Sequence, residues 1–223
     1  MGAYWCVVRS TLHSLRGLEV AESLLGRKAL ERVMSQARIF VCSDQHFHHA
    51  NIYSFVDAKG ERIRKEFANV QEGDRAMVER WNAVVTPQDH VYTLGDVTMG
   101  NNLSLIKELQ GHKRLVLGNH DKCDVRQYRE AGFQKVYSSR QFDKWCLLTH
   151  IPVHPQSLPR GGINIHGHLH RGVVIRRISA LPSDDPALID DNGEIASPDP
   201  RYKCVCVEQI EYTPVLLESL RPK

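Results

Sequence analysis

Leu115-Val116-Leu117-Gly118-Asn119-His120-Asp121 is the stretch on which the reading of this chain turns. It is an apolar run that ends, across a glycine, in side chains able to hold or move charge. The pattern recurs. Residues 39–42 lead to Asp44-Gln45-His46, residues 91–94 to Gly95-Asp96, residues 146–148 to Thr149-His150, and residues 163–165 to Gly167-His168-Leu169-His170. Strands that repeatedly end in polar ligands place those ligands on one rim of a sheet, where open α/β sheets bind. The donors are carboxylate, imidazole and carboxamide without thiolate, a set that suits divalent Mn, Fe, Ni or Zn.

The chain has 223 residues, 42% hydrophobic and 25% charged, which suits one domain with a sizeable core. Its net charge of +3 fits an anionic substrate but is too weak for a nucleic-acid footprint. Of the twelve histidines, six cluster at 46–49 and 166–170. The cysteines (Cys6, Cys42, Cys123, Cys146, Cys204, Cys206) include no Cys-x-x-Cys pair and read as reduced thiols of a cytoplasmic protein. Cys204 and Cys206, two apart in a strand-like stretch, share a face. No apolar run approaches membrane-spanning length. Every recognisable feature follows Met34, so residues 1–33 are expected to be an appendage outside a single domain over 34–223.

Periodicity predicts helices over 71–85, 101–109 and 124–131, the second capped by Asn101 or Asn102. Strands are expected at 38–43, 90–94, 113–117, 133–137, 145–149, 163–166, 173–177, 203–208 and 215–217. Residues 181–201, rich in Pro, Asp and Ser, read as a loop or hairpin excursion.

Two ions about 3.5–4 Å apart can clamp a phosphorus centre during in-line displacement. Asp96 is the natural bridge, because a carboxylate has two oxygens and Gly95 lets backbone pack closely. Asp44 and His46, and likewise His168 and His170, are spaced to reach one ion. Asn119 offers a neutral oxygen, which limits the negative charge facing a phosphate.

The ordered set Asp-x-His, Gly-Asp, Gly-Asn-His-Asp, His and Gly-His-x-His resembles the calcineurin-like metallophosphoesterase superfamily, from about Ile39 to His170. Its small bacterial and phage members are similar over the segment from Ser43 to Ile52 and at Trp81-Asn82 before Leu94-Gly95-Asp96. The resemblance implies an α/β fold: a four-layer α/β/β/α sandwich of two mixed sheets flanked by helices. It implies one ion on Asp44, His46, Asp96 and His170, and a second on Asp96, Asn119, His150 and His168, with Mn the first expectation. His120 would protonate the leaving oxygen, Asp121 would hold its ring, and a metal-bridging hydroxide would attack in line.

His49 and Asn51 are expected in the substrate pocket, with a buttressing histidine and a helix cap as equal alternatives. His48 should face outward, His166 should pack behind the ligands, and His154 is open between pocket wall and loop. Val97-Thr98-Met99-Gly100 supplies no arginine after Asp96, a departure from the protein-phosphatase branch. Arg62, Arg64 and Lys65 are candidates to grip phosphate, although a charge run is more often a solvated face. The expected function is a dinuclear phosphoesterase acting on a small phosphodiester or monoester, nucleotides included. Alternatives are a nuclease, a pyrophosphate hydrolase and a non-catalytic scaffold. Every catalytic position is filled, which weighs against the scaffold. Asn119 and the non-ligand His120 weigh against mere metal storage.

Overall fold

A computed structural model describes residues 37–57, 60–179 and 194–222. The expected N-terminal appendage lies outside the described residues. The described residues from Arg38 onward belong to one compact unit.

Five strands make the first sheet: β1 (Ile39–Cys42), β2 (His90–Thr93), β3 (His112–Val116), β4 (Phe133–Tyr137) and β11 (Val215–Leu216), in the order β11-β1-β2-β3-β4. β1 to β4 run parallel, with Ile39 beside His90 and His90 beside His112, and β11 returns antiparallel on β1. The second sheet has the order β10-β7-β6-β5, from β5 (Arg140–Phe142), β6 (Cys146–Leu148), β7 (Ile163–His166) and β10 (Tyr202–Cys204). Its β6, β7 and β10 are parallel and β5 is antiparallel. β8 (Ile175–Ser179) and β9 (Glu194–Pro198) pair as a ribbon.

Alternation along the strands sorts two cores. Val41, Tyr92, Leu94 and Val116 of the first sheet pack with Cys146, Leu148, Ile163 and Ile165 of the second. Phe40, Cys42, Val91 and Leu115 point the other way, onto Met77, Val78 and Trp81 of helix α1 (Val70–Val84) and Tyr128 of α2 (Val125–Glu130). The expected α/β class with two mixed sheets holds. Among the described residues, both α-helices cover the first sheet, and none covers the outer face of the second. No helix among them is long and apolar enough to cross a membrane.

Local chemistry explains the helix limits. Asn69 caps α1 by accepting from Glu72 N, and Thr86-Pro87 follows its end. Asp124 and Gln127 form a reciprocal capping box on α2. Two expectations need correction. Residues 101–109 hold only a 3₁₀ turn, Ser104–Glu108, because Asn102 Oδ1 accepts from Ser104 N and Thr98 Oγ1 donates to Asn102 O, fixing a turn there. The 203–208 strand stops at Cys204. Val205 N still donates to β7 at His166 O, but Val207 N donates to Ser43 O, so the chain crosses from one sheet to the other. Ser43 pairs with Cys206 at that crossing and joins the sheets where the ligand loops emerge. Of residues 181–201, Glu194–Pro198 form β9, and 181–193 lie outside the described residues.

Candidate metal centre

The loops leaving β1, β2, β3, β6 and β7 converge on one rim. Asp44, His46 and His170 form one group of ligand atoms, and Asp96, His150 and His168 a second. Asp96 Oδ2 stands between them, 3.6 Å from His46 Nε2 and 3.3 Å from His150 Nε2. Asn119 joins the second group, its Oδ1 2.9 Å from His150 Nε2. All seven side chains expected as ligands meet here.

Partners behind Asp44 and His150 choose which of their atoms faces forward. Asp44 Oδ2 accepts from Ser43 Oγ (2.6 Å), His168 N (2.9 Å) and the Cys206 thiol (3.2 Å). Among the described residues, the buried Asp44 Oδ1 accepts no hydrogen bond, and neither ring nitrogen of the buried His46 has a hydrogen-bond partner. Orphaned buried polar atoms are costly unless a ligand completes them. His150 Nδ1 lies 2.8 Å from Leu94 O. A carbonyl only accepts, so Nδ1 carries the proton and Nε2 presents its lone pair, as a metal ligand must. The donor set and its unsatisfied atoms fit two divalent cations.

The backbone is bent to match. Asp44, His46, Asp96, His168 and His170 all have positive φ, between 49° and 70°. Each left-handed non-glycine residue costs on the order of 1 kcal/mol, and such strain concentrates at functional sites. Two glycines permit the convergence. A Cβ on Gly95 (φ +97°) would lie 2.5 Å from Gly118 N, and one on Gly167 would collide with Ser43 Oγ and Asp44 Oδ2.

Residues 37–204 match the family model described as calcineurin-like phosphoesterase. The chain belongs to that family. An uncharacterized protein of Methanocaldococcus jannaschii is 30% identical over 193 residues, 84% of this chain and 91% of its own. The gene 66 protein of Mycobacterium phage L5 is 34% identical over 170 residues, 60% of this chain and 78% of its own, consistent with the phage and bacterial type. A protein of unknown function from Aquifex aeolicus, 24% identical, superposes with a TM-score of 0.51 over 83% of this chain and 98% of its own, a likeness of fold alone.

Behind the first group lies a network whose parts sequence reading did not assemble. Arg64 is fully buried. Its Nη2 donates to Asp44 O (2.6 Å), its Nη1 to Gln45 O (2.8 Å) and its Nε to Glu208 Oε1 (2.8 Å). The same Glu208 oxygen lies 3.2 Å from His170 Nδ1, so His170 turns Nε2 toward Asp44 Oδ1, 4.0 Å away. Burial acts to lower the His170 pKa, and the Glu208 contact outweighs it and raises it. Arg64 is therefore a clamp on the ligand loop rather than a phosphate contact. Arg62 and Lys65 remain at the surface, Lys65 paired with Glu61.

Other expectations resolve individually. Asp121 does not hold the His120 ring. Its carboxylate accepts from Asp96 N (2.8 Å), Val97 N (3.2 Å) and Gly118 N (2.7 Å), which ties the second ligand loop to the third. His120 N donates to Asp96 Oδ1 (2.8 Å), and its ring stands edge-on to His46 at 5.5 Å. His48 is half-buried instead of outward, its Nδ1 3.6 Å from Asp74. His166 is buried against Tyr202 and belongs to neither group. His154 caps the 3₁₀ turn Pro155–Ser157. His49 sits beside the centre, its ring 5.5 Å from His46 and 5.7 Å from Phe55. Asn51 lies exposed on the following 3₁₀ turn, where its carbonyl accepts from Ser54 N and Oγ.

Proposed function

We propose that this chain hydrolyses a small or accessible phosphodiester or phosphomonoester, nucleotides among the candidates, by in-line displacement at a dinuclear centre. The placement of Asp96 carries the reading: one buried carboxylate within reach of both imidazole groups is what a shared pair of ions requires. Asp44, His46, Asp96 and His170 would hold one ion, and Asp96, Asn119, His150 and His168 the other. Mn is the first candidate, with Fe, Ni and Zn compatible with the same ligands. When bound, two such ions neutralise phosphate oxygens and lower the pKa of water at the site.

The chain's own residues do the rest. The hydrogen bond from His120 N to Asp96 Oδ1 fixes His120 at the edge of the centre, free to give a proton to the leaving oxygen. Asp121 positions that loop through the backbone N–H groups it accepts. Burial, with the nearby His46, pushes the His49 pKa down to about 4, so it offers substrate a neutral imidazole at pH 7. Asn51, on the 3₁₀ turn that follows His49, would stand at the outer edge of the proposed pocket. The free cysteines among the described residues support a cytoplasmic setting.

The test is a screen of metal-reconstituted protein against a bis-aryl phosphate, an aryl phosphate, cyclic nucleotides and single-stranded nucleic acid. Turnover that needs added metal and ceases with a chelator is expected. A fully metallated protein inert toward all four would overturn the proposal.

A further inference from the structure

Directly behind the Asp44 group lie two thiols that the hydrolytic reading leaves unused. Cys204 Sγ and Cys206 Sγ are 3.3 Å apart, and neither is in a disulfide. Cys206 is fully buried and wired to the ligands: its thiol donates to Asp44 Oδ2 (3.2 Å), and its sulfur accepts from His170 N (3.2 Å). Cys204 is partly exposed and lines a cavity of about 180 Å³ with His166, Val173, Lys203 and Gln209. A small oxidant therefore has a path to one sulfur, and that sulfur has a resolving partner already in contact.

We propose that Cys204 and Cys206 form a reversible disulfide that weakens metal binding at Asp44, His46 and His170. Hydrogen peroxide is the oxidant. The Cys204 sulfur attacks one peroxide oxygen, an S–O bond forms, the O–O bond breaks, and water leaves. The Cys206 thiol then attacks the Cys204 sulfur. The S–S bond forms, the S–O bond breaks, and the thiol proton departs with the hydroxyl as a second water. Two thiols lose two electrons, and one peroxide gains them. An added dithiol reverses the step by exchange. Oxidation takes away the S–H that Asp44 Oδ2 accepts and draws the Cys206 sulfur toward Cys204, away from His170 N. Loss of a partner that orients a metal ligand typically costs about 10–100-fold in metal affinity.

The inference rests on the metal centre, and the experiment separates the two. Full-length protein is loaded with zinc, which has no redox chemistry of its own, and treated with stoichiometric peroxide. Peptide mapping should show a Cys204–Cys206 link with loss of two hydrogens in mass. Chelator competition should show one of two zinc ions held about 10-fold or more weakly, and dithiol should restore it. Cys204→Ser should keep both ions with and without peroxide. Peroxide that leaves both thiols free, or a link that forms without changing zinc retention, would overturn the proposal. A reduced protein that binds no zinc would overturn the centre, and this coupling with it.

Discussion

The two rims of the first sheet handle buried carboxylates in opposite ways. At the start of the strands, Asp89 is satisfied entirely by the chain. Its Oδ1 accepts from Arg38 N and Nε, and its Oδ2 from Arg38 Nη2, Thr86 N and Thr86 Oγ1, at 2.6–3.1 Å. At the ends of the strands, Asp44 is satisfied on one oxygen and bare on the other. Asp89 lies in a rim where none of Arg38, Asp89 or Thr86 has positive φ, whereas five ligands at the opposite rim do. A closed network stabilises the fold, and an open one, held in strained backbone, waits for a ligand. Carboxylates alike in burial thus serve structure and chemistry, and the difference lies in which lone pairs the chain itself fills.

Changes at the open rim should cost function more than stability, and changes at the closed rim the reverse. The largest effect is expected from Asp96→Asn, which weakens the shared ligand. Altering outer partners costs about 10–100-fold in metal affinity, so this variant should exceed about 100-fold for both ions, as read by chelator competition. Two tightly held ions in Asp96→Asn would remove the bridge. Next, His120→Ala should keep its metal content and slow turnover by roughly 10²–10⁴-fold on a substrate with a poor leaving group. Full activity on such a substrate would remove the acid assignment.

Glu208→Gln sharpens the contrast within the open rim. It should loosen His170 and lower affinity for one ion about 10–100-fold while sparing the other. An equal loss at both sites would mean that Glu208 acts through folding alone. The smallest functional effect is expected from Asp89→Asn, which should cost about 1–3 kcal/mol of stability by leaving donors unpaired, with metal content unchanged. The Arg38 and Thr86 hydrogen bonds, working against burial, hold the Asp89 pKa down at about 2. Its contribution is therefore fully present above the ordinary carboxylate range and is lost as pH falls toward 2. Acid titration of folded apo-protein should show wild type losing stability over that window more steeply than Asp89→Asn.

What the sequence disclosed is local. Each ligand follows its own apolar run within a few residues, so strand and donor can be read together, and the parallel order then brings the donors to one rim. What stayed hidden is non-local. Arg64 and Glu208 are 144 residues apart, and Arg64 sits in a run with Arg62 and Lys65 from which nothing in the order of residues says that it alone turns inward. Asp121 misled for the opposite reason. It neighbours His120 in the chain, yet its carboxylate spends its hydrogen bonds on the backbone of Asp96, Val97 and Gly118. The crossing at Cys206 looks like continued strand in the sequence because alternation is the same on either side of a sheet-to-sheet step. The 3₁₀ turn at 104–108 replaced a helix because Asn102 and Thr98 compete for the backbone there.

The central claim is a pair of ions sharing Asp96, and anomalous diffraction from crystals of manganese-reconstituted protein tests it most directly. Two peaks about 3.5–4 Å apart are expected, one against Asp44, His46 and His170, the other against Asn119, His150 and His168, with Asp96 touching both. A single peak, or ions bound away from Asp96, would contradict the account.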